Sequence, residues 1–219
     1  MSGRRVITLI PCHLSSKRVY KKPLQTLSSG ACLIENALEQ VARLKKYLNP
    51  HVSCWDGDVE LVSVAESLDI PIIPMTFEQS RASDWETIGE AWTDLQADWI
   101  YEINNICHPF VKDATILGGL NYASFCDYPF ISAVRQRNLY WNESRQVLLP
   151  LDGPVDTKTA PTIISATHML YAWQPSDCGK GNSTRITNVR PYVIDCDPIE
   201  LLDVDTHQDL ELIKRIICK

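Results

Sequence analysis

Two carboxylates near the end of the chain are the clearest candidates for metal-dependent chemistry. The segment Leu202-Asp-Val-Asp-Thr206 places Asp203 and Asp205 at the end of a predicted strand, directly before a predicted helix. Alternate residues of an extended chain point the same way, so both carboxylates can face one point. Such a pair is suited to bind Mg²⁺ that also coordinates the phosphates of a substrate. An acidic turn with Asp205 as a solvated helix cap is the alternative interpretation.

A basic segment after the first predicted strand is the second candidate. It runs from Pro11 to Lys22 with the sequence PCHLSSKRVYKK. Its backbone N–H groups, together with Ser15, Ser16 and Lys17, are suited to hold phosphate oxygens. The segment contains neither Gly-x-Gly-x-x-Gly nor Gly-Lys-Ser/Thr, so it matches neither a dinucleotide fingerprint nor a P-loop. A solvated basic loop explains the same residues.

Polar residues also follow a later predicted strand. The loop Asn104–Phe110, with the sequence NNICHPF, is suited to bind a base or a ribose, and a sharp turn without a ligand is equally compatible with it. Its neighbours Cys107 and His108 repeat the pair Cys12 and His13 at the end of another strand, which allows a zinc site built from the four residues. Adjacent Cys and His are not the usual spacing of zinc ligands, so zinc is the weaker hypothesis.

Two arginines lie together in the middle of the chain. The segment Ser132–Asn142 carries Arg135 and Arg137 beside two aromatic residues. Because arginine grips a carboxylate with two parallel hydrogen bonds, this segment is suited to bind a sugar acid. An edge strand with exposed arginines accounts for it equally well.

The charge of the chain is separated along the sequence. The 219 residues carry 21 basic and 27 acidic side chains, a formal net charge of −6. Residues 1–34 contain six basic residues and no acid, whereas Asp195–Glu211 contains seven acids and no Lys or Arg. This pattern argues against nucleic acid as a partner, because a nucleic-acid binder presents a broad basic face. A small polyanionic ligand fits the pattern better.

The apolar segments argue against a membrane or secreted protein. Val6–Pro11 is too short for the core of a signal peptide, and the longest uncharged run, Thr159–Ser176, contains two prolines and many polar residues. The eight cysteines include no Cys-x-x-Cys pair and accompany no export signal. We therefore predict a reduced, cytoplasmic protein with no membrane partner.

Strand and helix signals alternate along most of the chain. The pattern predicts one α/β domain, residues 1–219, with a doubly wound, mostly parallel sheet and helices on both faces. Ligands of such sheets bind at the carboxyl ends of the strands. Residues 138–165, which contain three prolines, interrupt the alternation and are interpreted as a small inserted lobe or dimerisation arm. The predicted strands cover 5–11, 51–55, 70–75, 99–104, 130–134, 192–196 and 199–204, and the predicted helices cover 31–48, 59–68, 84–96, 113–125 and 206–218.

Taken in order, these segments resemble those of the CMP-sugar synthetases, the acylneuraminate cytidylyltransferase family. Residues 12–23 (CHLSSKRVYKKP) stand in register with the family's Ala-Arg-x-Gly-Ser-Lys-x-Ile-x-x-Lys-Asn, and residues 202–210 (LDVDTHQDL) with its DIDT ending. Residues 31–38, 52–56 and 105–110 resemble the family's intervening motifs. The family's arginine, glycine and asparagine of the first loop are replaced by His13, Leu14 and Pro23, and its Thr-Ser pair by Cys107 and His108.

The resemblance implies a Rossmann-like nucleotide-diphospho-sugar transferase fold and a homodimer. It further implies that CMP from CTP is joined to a 3-deoxy-2-keto sugar acid, such as a sialic acid, with release of pyrophosphate. On this basis Asp203 and Asp205 hold Mg²⁺, Asp205 and Lys17 are catalytic, and protonated His13 replaces part of the missing arginine. The nucleotide-binding residues implied are Pro11, His13, Ser15, Ser16, Lys17, Lys22, Ser83, Asn105 and Cys107, and the sugar-binding residues are Arg135, Arg137 and Lys158.

The replacements in the first loop and at Cys107 leave two alternatives open. One is a catalytically faded homologue that binds a nucleotide or a sugar without turnover. The other is a related nucleotidyltransferase that uses a different NTP. Lys17, Lys22, Asp203 and Asp205 remain in all three cases, so phosphate and metal handling carries over better than base and sugar recognition.

Overall fold

The computed structural model describes residues 4–82, 84–137, 143–144, 162–180 and 188–217. Within these ranges the chain forms seven strands and six α-helices. The strands are β1 Val6–Pro11, β2 Pro50–Trp55, β3 Ile72–Met75, β4 Trp99–Ile103, β5 Phe130–Arg137, β6 Thr162–Trp173 and β7 Arg190–Val193. The helices are α1 Leu33–Arg43, α2 Val59–Ser67, α3 Phe77–Arg81, α4 Trp85–Glu90, α5 Asp113–Phe125 and α6 His207–Ile217.

The seven strands form one sheet in the order β3-β2-β1-β4-β6-β5-β7. The pairs β1–β2, β1–β4, β2–β3 and β5–β7 are parallel, whereas β6 runs antiparallel to both β4 and β5. The predicted mostly parallel α/β sheet is therefore confirmed. Because β1, β2 and β4 are adjacent and parallel, the loops that follow them meet at one edge of the sheet.

Apolar side chains on both faces of the sheet explain why helices cover both. In β1, Ile10 belongs to the buried apolar cluster that includes residues of α1, α2, α5 and α6, whereas its neighbour Leu9 belongs to a second cluster that includes Trp85 and Trp92. Successive residues of a strand point to opposite faces, so an uninterrupted apolar strand must be covered twice. The predicted helices on both faces are thus present. None of the helices in the described ranges is long and apolar enough to cross a membrane.

The structure corrects the sequence prediction at several elements. The predicted strand 199–204 is wrong, because Pro198–Leu201 forms a 3-10 helix whose first turn is capped by Asp197. The predicted helix 84–96 ends at Glu90, and the long antiparallel strand β6 was not predicted. Residues 162–165, assigned to the inserted lobe, pair with β5 as part of β6. The remaining lobe residues, except 143–144, lie outside the described residues.

Two adjacent glycines of α5 allow a direct test of its packing. A Cβ at Gly119 would meet Tyr101 Oη and come within 2.9 Å of Leu170 Cδ1, whereas one at Gly118 would have Tyr192 Oη as its nearest neighbour at 3.5 Å. Tyr101 cannot move away easily, because it is fully buried and its hydroxyl donates to Ile116 O. α5 therefore has space for a methyl group at one glycine and not at the other.

We expect Gly119→Ala to lower the free energy of unfolding by about 1–3 kcal/mol, the usual effect of overpacking a core. Gly118→Ala is the matched control and should be neutral or stabilising by up to about 1 kcal/mol, because alanine favours a helix over glycine. Urea denaturation of both variants measures the difference. Equal stabilities of the two variants would contradict the close packing of α5 on β4.

Candidate active site

A cleft of about 650 Å³ lies at the edge of the sheet where β1 and β4 end. Its volume is typical of small-molecule sites. Three walls surround it, which are the first loop after β1, the region of α3 and α4, and the segments that follow β4 and precede α6. The residues that line it include Pro11, His13, Ser15, Ser16, Lys17, Arg18, Lys22, Gln79, Ser80, Arg81, Trp85, Trp92, Glu102, Asn104, Cys107, His168, Tyr171, Asp203 and Asp205.

The first loop is held in place by hydrogen bonds of its serines. Ser15 Oγ donates to Ser80 O at 3.0 Å and lies 2.7 Å from His13 Nδ1. A hydroxyl has one proton, and Ser15 uses it in the hydrogen bond to Ser80 O. The Nδ1–H of His13 must therefore be the donor in its contact with Ser15 Oγ. Ser16 Oγ accepts a hydrogen bond from the Val19 amide at 3.4 Å, which closes the turn. The serines thus connect the loop to α3 and fix the tautomer of His13.

His13 is poorly suited to replace an arginine. Desolvation, followed by the positive charge of Lys22, lowers the pKa of its imidazole below the usual value. An imidazole with a lowered pKa is mostly neutral at neutral pH. The structure therefore argues against the predicted compensation by a protonated His13 in the ligand-free cleft.

Asp205 connects the acidic segment to the first loop. Arg18 Nη1 lies 2.7 Å from Asp205 Oδ2, and Lys22 Nζ lies 3.7 Å from Asp205 Oδ1. Lys22 is also 3.4 Å from Cys107 Sγ, and only 12% of its side chain is exposed. Three segments that are far apart in the sequence therefore converge on one ammonium group.

Asp203 has the properties of a cation ligand. Its Oδ1 atom is buried and has no hydrogen-bond partner among the described residues. Burial, followed by repulsion from Asp205, raises the pKa of the Asp203 carboxyl to about 6. Two neighbouring carboxylates with one orphaned oxygen fit a divalent cation, which would neutralise both charges.

The backbone around the two aspartates is fixed on both sides. Val204 N donates to Cys107 O at 2.8 Å, which joins the segment to the loop after β4. Thr206 and Asp209 cap α6 reciprocally, because Asp209 N donates to Thr206 Oγ1 and Thr206 N donates to Asp209 Oδ2. This reciprocal cap fixes the start of α6 directly after Asp205.

Other predicted site residues lie elsewhere. Asn105 is 1% exposed, and its Nδ2 donates to Ala37 O of α1, so the structure does not bring it into the cleft. Arg135 and Arg137 are not among the lining residues, and Arg137 Nε donates to Thr162 Oγ1 of β6. Ser83 and Lys158 lie outside the described residues.

The zinc hypothesis is not supported. In the described part of the chain, no group of three or more His, Cys, Asp or Glu side chains is arranged to hold a metal ion. Three of the four suggested ligands, Cys12, His13 and Cys107, line the cleft, whereas His108 is buried and does not.

β6 contributes residues to the cleft lining that the sequence did not indicate. His168 has a φ of 58° and lies in a bulge where Thr167–Leu170 stands opposite Ser132 alone. Ser132 Oγ stabilises the bulge by bonding to Thr167 Oγ1 and to the Leu170 amide. A non-glycine residue with positive φ is uncommon and often marks a functional site. No local signal reveals such a bulge, because it depends on pairing with β5.

The cleft wall formed by β6 and β4 combines aromatic and polar groups. His168 Nδ1 lies 2.6 Å from Tyr171 Oη, and Tyr171 is paired across the sheet with Glu102 of β4. Asn104 Nδ2 donates to His168 O at 3.3 Å. These four residues line the cleft next to the aspartates and offer donors and acceptors to a hydroxylated ligand.

Another part of the cleft lining is mainly apolar. Trp85 and Trp92 are buried, and their ring centroids lie 5.2 Å apart. Both also line the cleft, together with Gln79 and Arg81 of α3. Core packing and the cleft therefore share the same tryptophans.

Buried His108 predicts a loss of stability in acid. The residue is only 1% exposed. Burial, with a smaller contribution from His168, lowers the pKa of His108 to about 4. Below the unfolded pKa of about 6.5, the unfolded chain binds a proton that the folded chain does not. This residue should therefore reduce the free energy of unfolding by about 2 kcal/mol between pH 7 and pH 5.

Urea denaturation of the wild type and of His108→Asn at both pH values measures this contribution. Asp203 acts in the opposite direction, because its raised pKa stabilises the fold on acidification, so the comparison uses the difference between the two proteins. An NMR titration of His108 provides a second readout in the wild type. A folded-state pKa near 6.5 for His108 would refute the expectation.

Comparisons with known proteins agree with the geometry. No protein-family model and no curated protein sequence matches the chain. Its fold is similar to that of a CMP:2-keto-3-deoxy-manno-octonic acid synthetase complexed with CTP, with 15% identity over 98% of each chain and a TM-score of 0.68. It is also similar to the 4-diphosphocytidyl-2C-methyl-D-erythritol synthase of Anaerococcus prevotii, with 13% identity over 100% of each chain and a TM-score of 0.66. A further 4-diphosphocytidyl-2C-methyl-D-erythritol synthase shares 15% identity over 99% of this chain and 100% of its own, with a TM-score of 0.69.

These similarities define the class of fold. The protein has the α/β fold with a mostly parallel seven-stranded sheet that these cytidylyltransferases also have. The predicted fold class is confirmed over almost the whole chain.

Proposed function

We propose that the protein is a cytidylyltransferase that joins CMP from CTP to a hydroxylated acceptor and releases pyrophosphate. The observation that supports it most strongly is the convergence of Lys22, Arg18 and Asp205 in one cleft, because it joins a basic loop to a carboxylate pair. The fold shared with cytidylyltransferases, one of them complexed with CTP, supports the same proposal.

The cations and hydroxyls of the first loop hold the triphosphate. Lys17 and Lys22 bind phosphate oxygens, and Ser15, Ser16 and the backbone amides of residues 14–16 complete the cradle. Binding of the triphosphate to Arg18 and Lys22 releases their contacts with Asp205, which frees the carboxylate. The first loop therefore exchanges an internal ion pair for the substrate.

Asp203 and Asp205 hold Mg²⁺ in this proposal. The orphaned Oδ1 of Asp203 and the raised pKa of its carboxyl support this assignment. Bound there, Mg²⁺ would neutralise negative charge on the phosphates as the α-phosphorus is attacked. The acceptor hydroxyl gives its proton to Asp205 as its oxygen forms a bond to that phosphorus, the bond to the β-phosphate breaks, and pyrophosphate leaves. Asp205 orients the attacking hydroxyl, so catalysis consists mainly of positioning and charge neutralisation.

The acceptor is a 3-deoxy-2-keto sugar acid of the sialic acid type, which the sequence resemblance supports. His168, Tyr171 and Asn104 offer hydrogen bonds to its hydroxyls from the β6 wall. Of the three predicted ligands of its carboxylate, Lys158 remains a proposal, whereas Arg135 and Arg137 do not line the cleft. A homodimer and a cytoplasmic location remain proposals from the same resemblance.

The test is pyrophosphate release from CTP and Mg²⁺ with a panel of acceptors. The panel contains sialic, legionaminic, pseudaminic and octulosonic acids, together with 2C-methyl-D-erythritol 4-phosphate. Turnover with a sugar acid supports the full proposal, whereas turnover with the erythritol phosphate alone supports the transferase and rejects the sugar acid. If none of the acceptors in the panel gives pyrophosphate release, the result would count heavily against a sugar-acid enzyme.

A catalytically faded nucleotide-binding protein is the second candidate. The contact of Lys22 with Cys107, where the family has a threonine, and the ion pair of Asp205 with Arg18 favour it. This candidate predicts that CTP raises the melting temperature while no pyrophosphate appears. A thermal-shift panel of CTP, UTP, GTP and ATP with Mg²⁺ also tests the alternative of a different NTP, which would then raise the melting temperature more than CTP does.

A further inference from the structure

Both oxygens of the Asp205 carboxylate face a cation that belongs to the protein itself. Arg18 Nη1 lies 2.7 Å from Oδ2, and Lys22 Nζ lies 3.7 Å from Oδ1. A divalent cation binds to carboxylate oxygens directly. At Asp205 it would therefore meet one oxygen that already accepts a hydrogen bond from a guanidinium and a second oxygen that faces an ammonium group.

The two cations differ in how firmly they are held. Lys22 is only 12% exposed, and its ammonium also contacts Cys107 Sγ at 3.4 Å. The Arg18 side chain is 66% exposed, and Asp205 is the one partner of its guanidinium within the described ranges. Exposed ion pairs contribute little to stability. Arg18 can therefore move from Asp205 to another anion at little cost, whereas Lys22 is more restrained.

The charge of Arg18 also acts on the second carboxylate. Burial, followed by repulsion from Asp205, raises the pKa of the Asp203 carboxyl, and the positive charges of Lys22 and Arg18 oppose that rise. Both cations thus lie close enough to stabilise the ionised pair. A divalent cation at the pair would be repelled by the guanidinium as long as the guanidinium stays there.

We propose that Arg18 is an internal counter-ion that excludes a divalent cation from Asp205 until a nucleotide draws its guanidinium away. This inference rests on the proposed function, because it assumes that Asp203 and Asp205 hold the metal ion and that a triphosphate binds to Arg18. Metal ion and triphosphate both require Arg18 to leave Asp205, so each promotes the binding of the other. Arg18 thereby couples the metal site to the presence of the substrate.

The experiment measures the affinity of the full chain for Mn²⁺ without nucleotide, by the relaxation rate of water protons. Mn²⁺ takes the same oxygen ligands as Mg²⁺. We expect Arg18→Gln to bind Mn²⁺ about three- to tenfold more tightly than the wild type, because one competing partner and one nearby positive charge are removed. Adding Asp203→Asn to this variant should abolish the gain, which would locate the bound ion at the carboxylate pair.

Lys17→Gln and Arg43→Gln are the matched controls. Lys17 belongs to the same loop and lines the cleft, yet it forms no ion pair with Asp205 in the described part of the chain. Arg43 is 62% exposed and pairs with Asp113, so it resembles Arg18 in exposure and in its type of partner. Each control removes one positive charge, and each should change the affinity for Mn²⁺ by no more than about twofold.

A calorimetric titration of the wild type with CTP and Mg²⁺ separates the two proposals. If CTP binds and Arg18→Gln has the Mn²⁺ affinity of the wild type, the role of Arg18 is overturned and the cytidylyltransferase proposal stays intact. A gain in Lys17→Gln as large as that in Arg18→Gln also overturns the role of Arg18, because general charge would then explain the effect. If the wild type binds no CTP, the proposed function is overturned, and the coupling to a nucleotide fails with it even where Arg18→Gln gains affinity for Mn²⁺.

Discussion

Asp205→Asn should reduce the rate of pyrophosphate release by about 10²–10³-fold, while the fold remains intact. The amide has the shape of the carboxylate, and its oxygen can still accept the hydrogen bond that Arg18 donates. It lacks the negative charge that a divalent cation requires, so the loss falls on the catalytic step. The measurement is the initial rate at saturating CTP over a range of Mg²⁺ concentrations. Circular dichroism of the same preparation reports whether the fold is retained.

Glu211→Gln is the matched control for Asp205→Asn. Glu211 is an exposed acid of α6 that pairs with Lys214. Exposed ion pairs contribute little, so its activity should stay within about twofold of the wild type. Full activity of Asp205→Asn would eliminate Asp205 as a metal ligand and as a catalytic residue.

Lys22→Met should lower kcat/KM for CTP by about 10²-fold. The ammonium of Lys22 is mostly buried between Asp205 and Cys107, so no solvated cation can take its place. Methionine keeps the length and much of the apolar stem of lysine but removes the charge that the triphosphate needs. Steady-state kinetics with CTP as the varied substrate provides the measurement.

The neighbouring Lys21 supplies the control for Lys22→Met. Lys21 pairs with Glu60, and its side chain is 37% exposed. Lys21→Met therefore changes the same charge in the same turn without changing the cleft, and kcat/KM should stay within about twofold. Equal losses in the two variants would show that net charge, and not the position of Lys22, matters.

Short-range patterns were sufficient to predict most of the sheet. α5 covers Asp113–Phe125 as predicted, and the apolar runs of β1 and β4 were recognised because buried parallel strands need apolar residues on both faces. β6 was missed because it does not have this continuous burial. Its first half, up to His168, is alternately exposed and half-buried, and only its second half is fully buried.

The candidate site was predicted in part. Four of the predicted residues line the cleft, namely Lys17, Lys22, Asp203 and Asp205. They could be predicted because strand ends and helix caps are local signals in the sequence. Asn105 follows a strand in the same way, yet its amide satisfies the backbone of α1. A polar side chain after a strand can turn towards a ligand or towards the core, and the sequence does not distinguish these outcomes. His168 could not be assigned to the cleft at all, because its position depends on the pairing of β6 with β5.

By itself, the sequence determined the alternation of elements and the separation of charge between a basic start and an acidic end. Both are properties of composition and of spacing along the chain, so they can be read without coordinates. Only the tertiary structure decided that Arg18 and Lys22 contact Asp205, across more than 180 residues. It also decided that the half-buried Asp203 lies beside them and that β6 brings His168 to the same cleft. Electrostatic interactions depend on distance and burial, and both are properties of the folded chain.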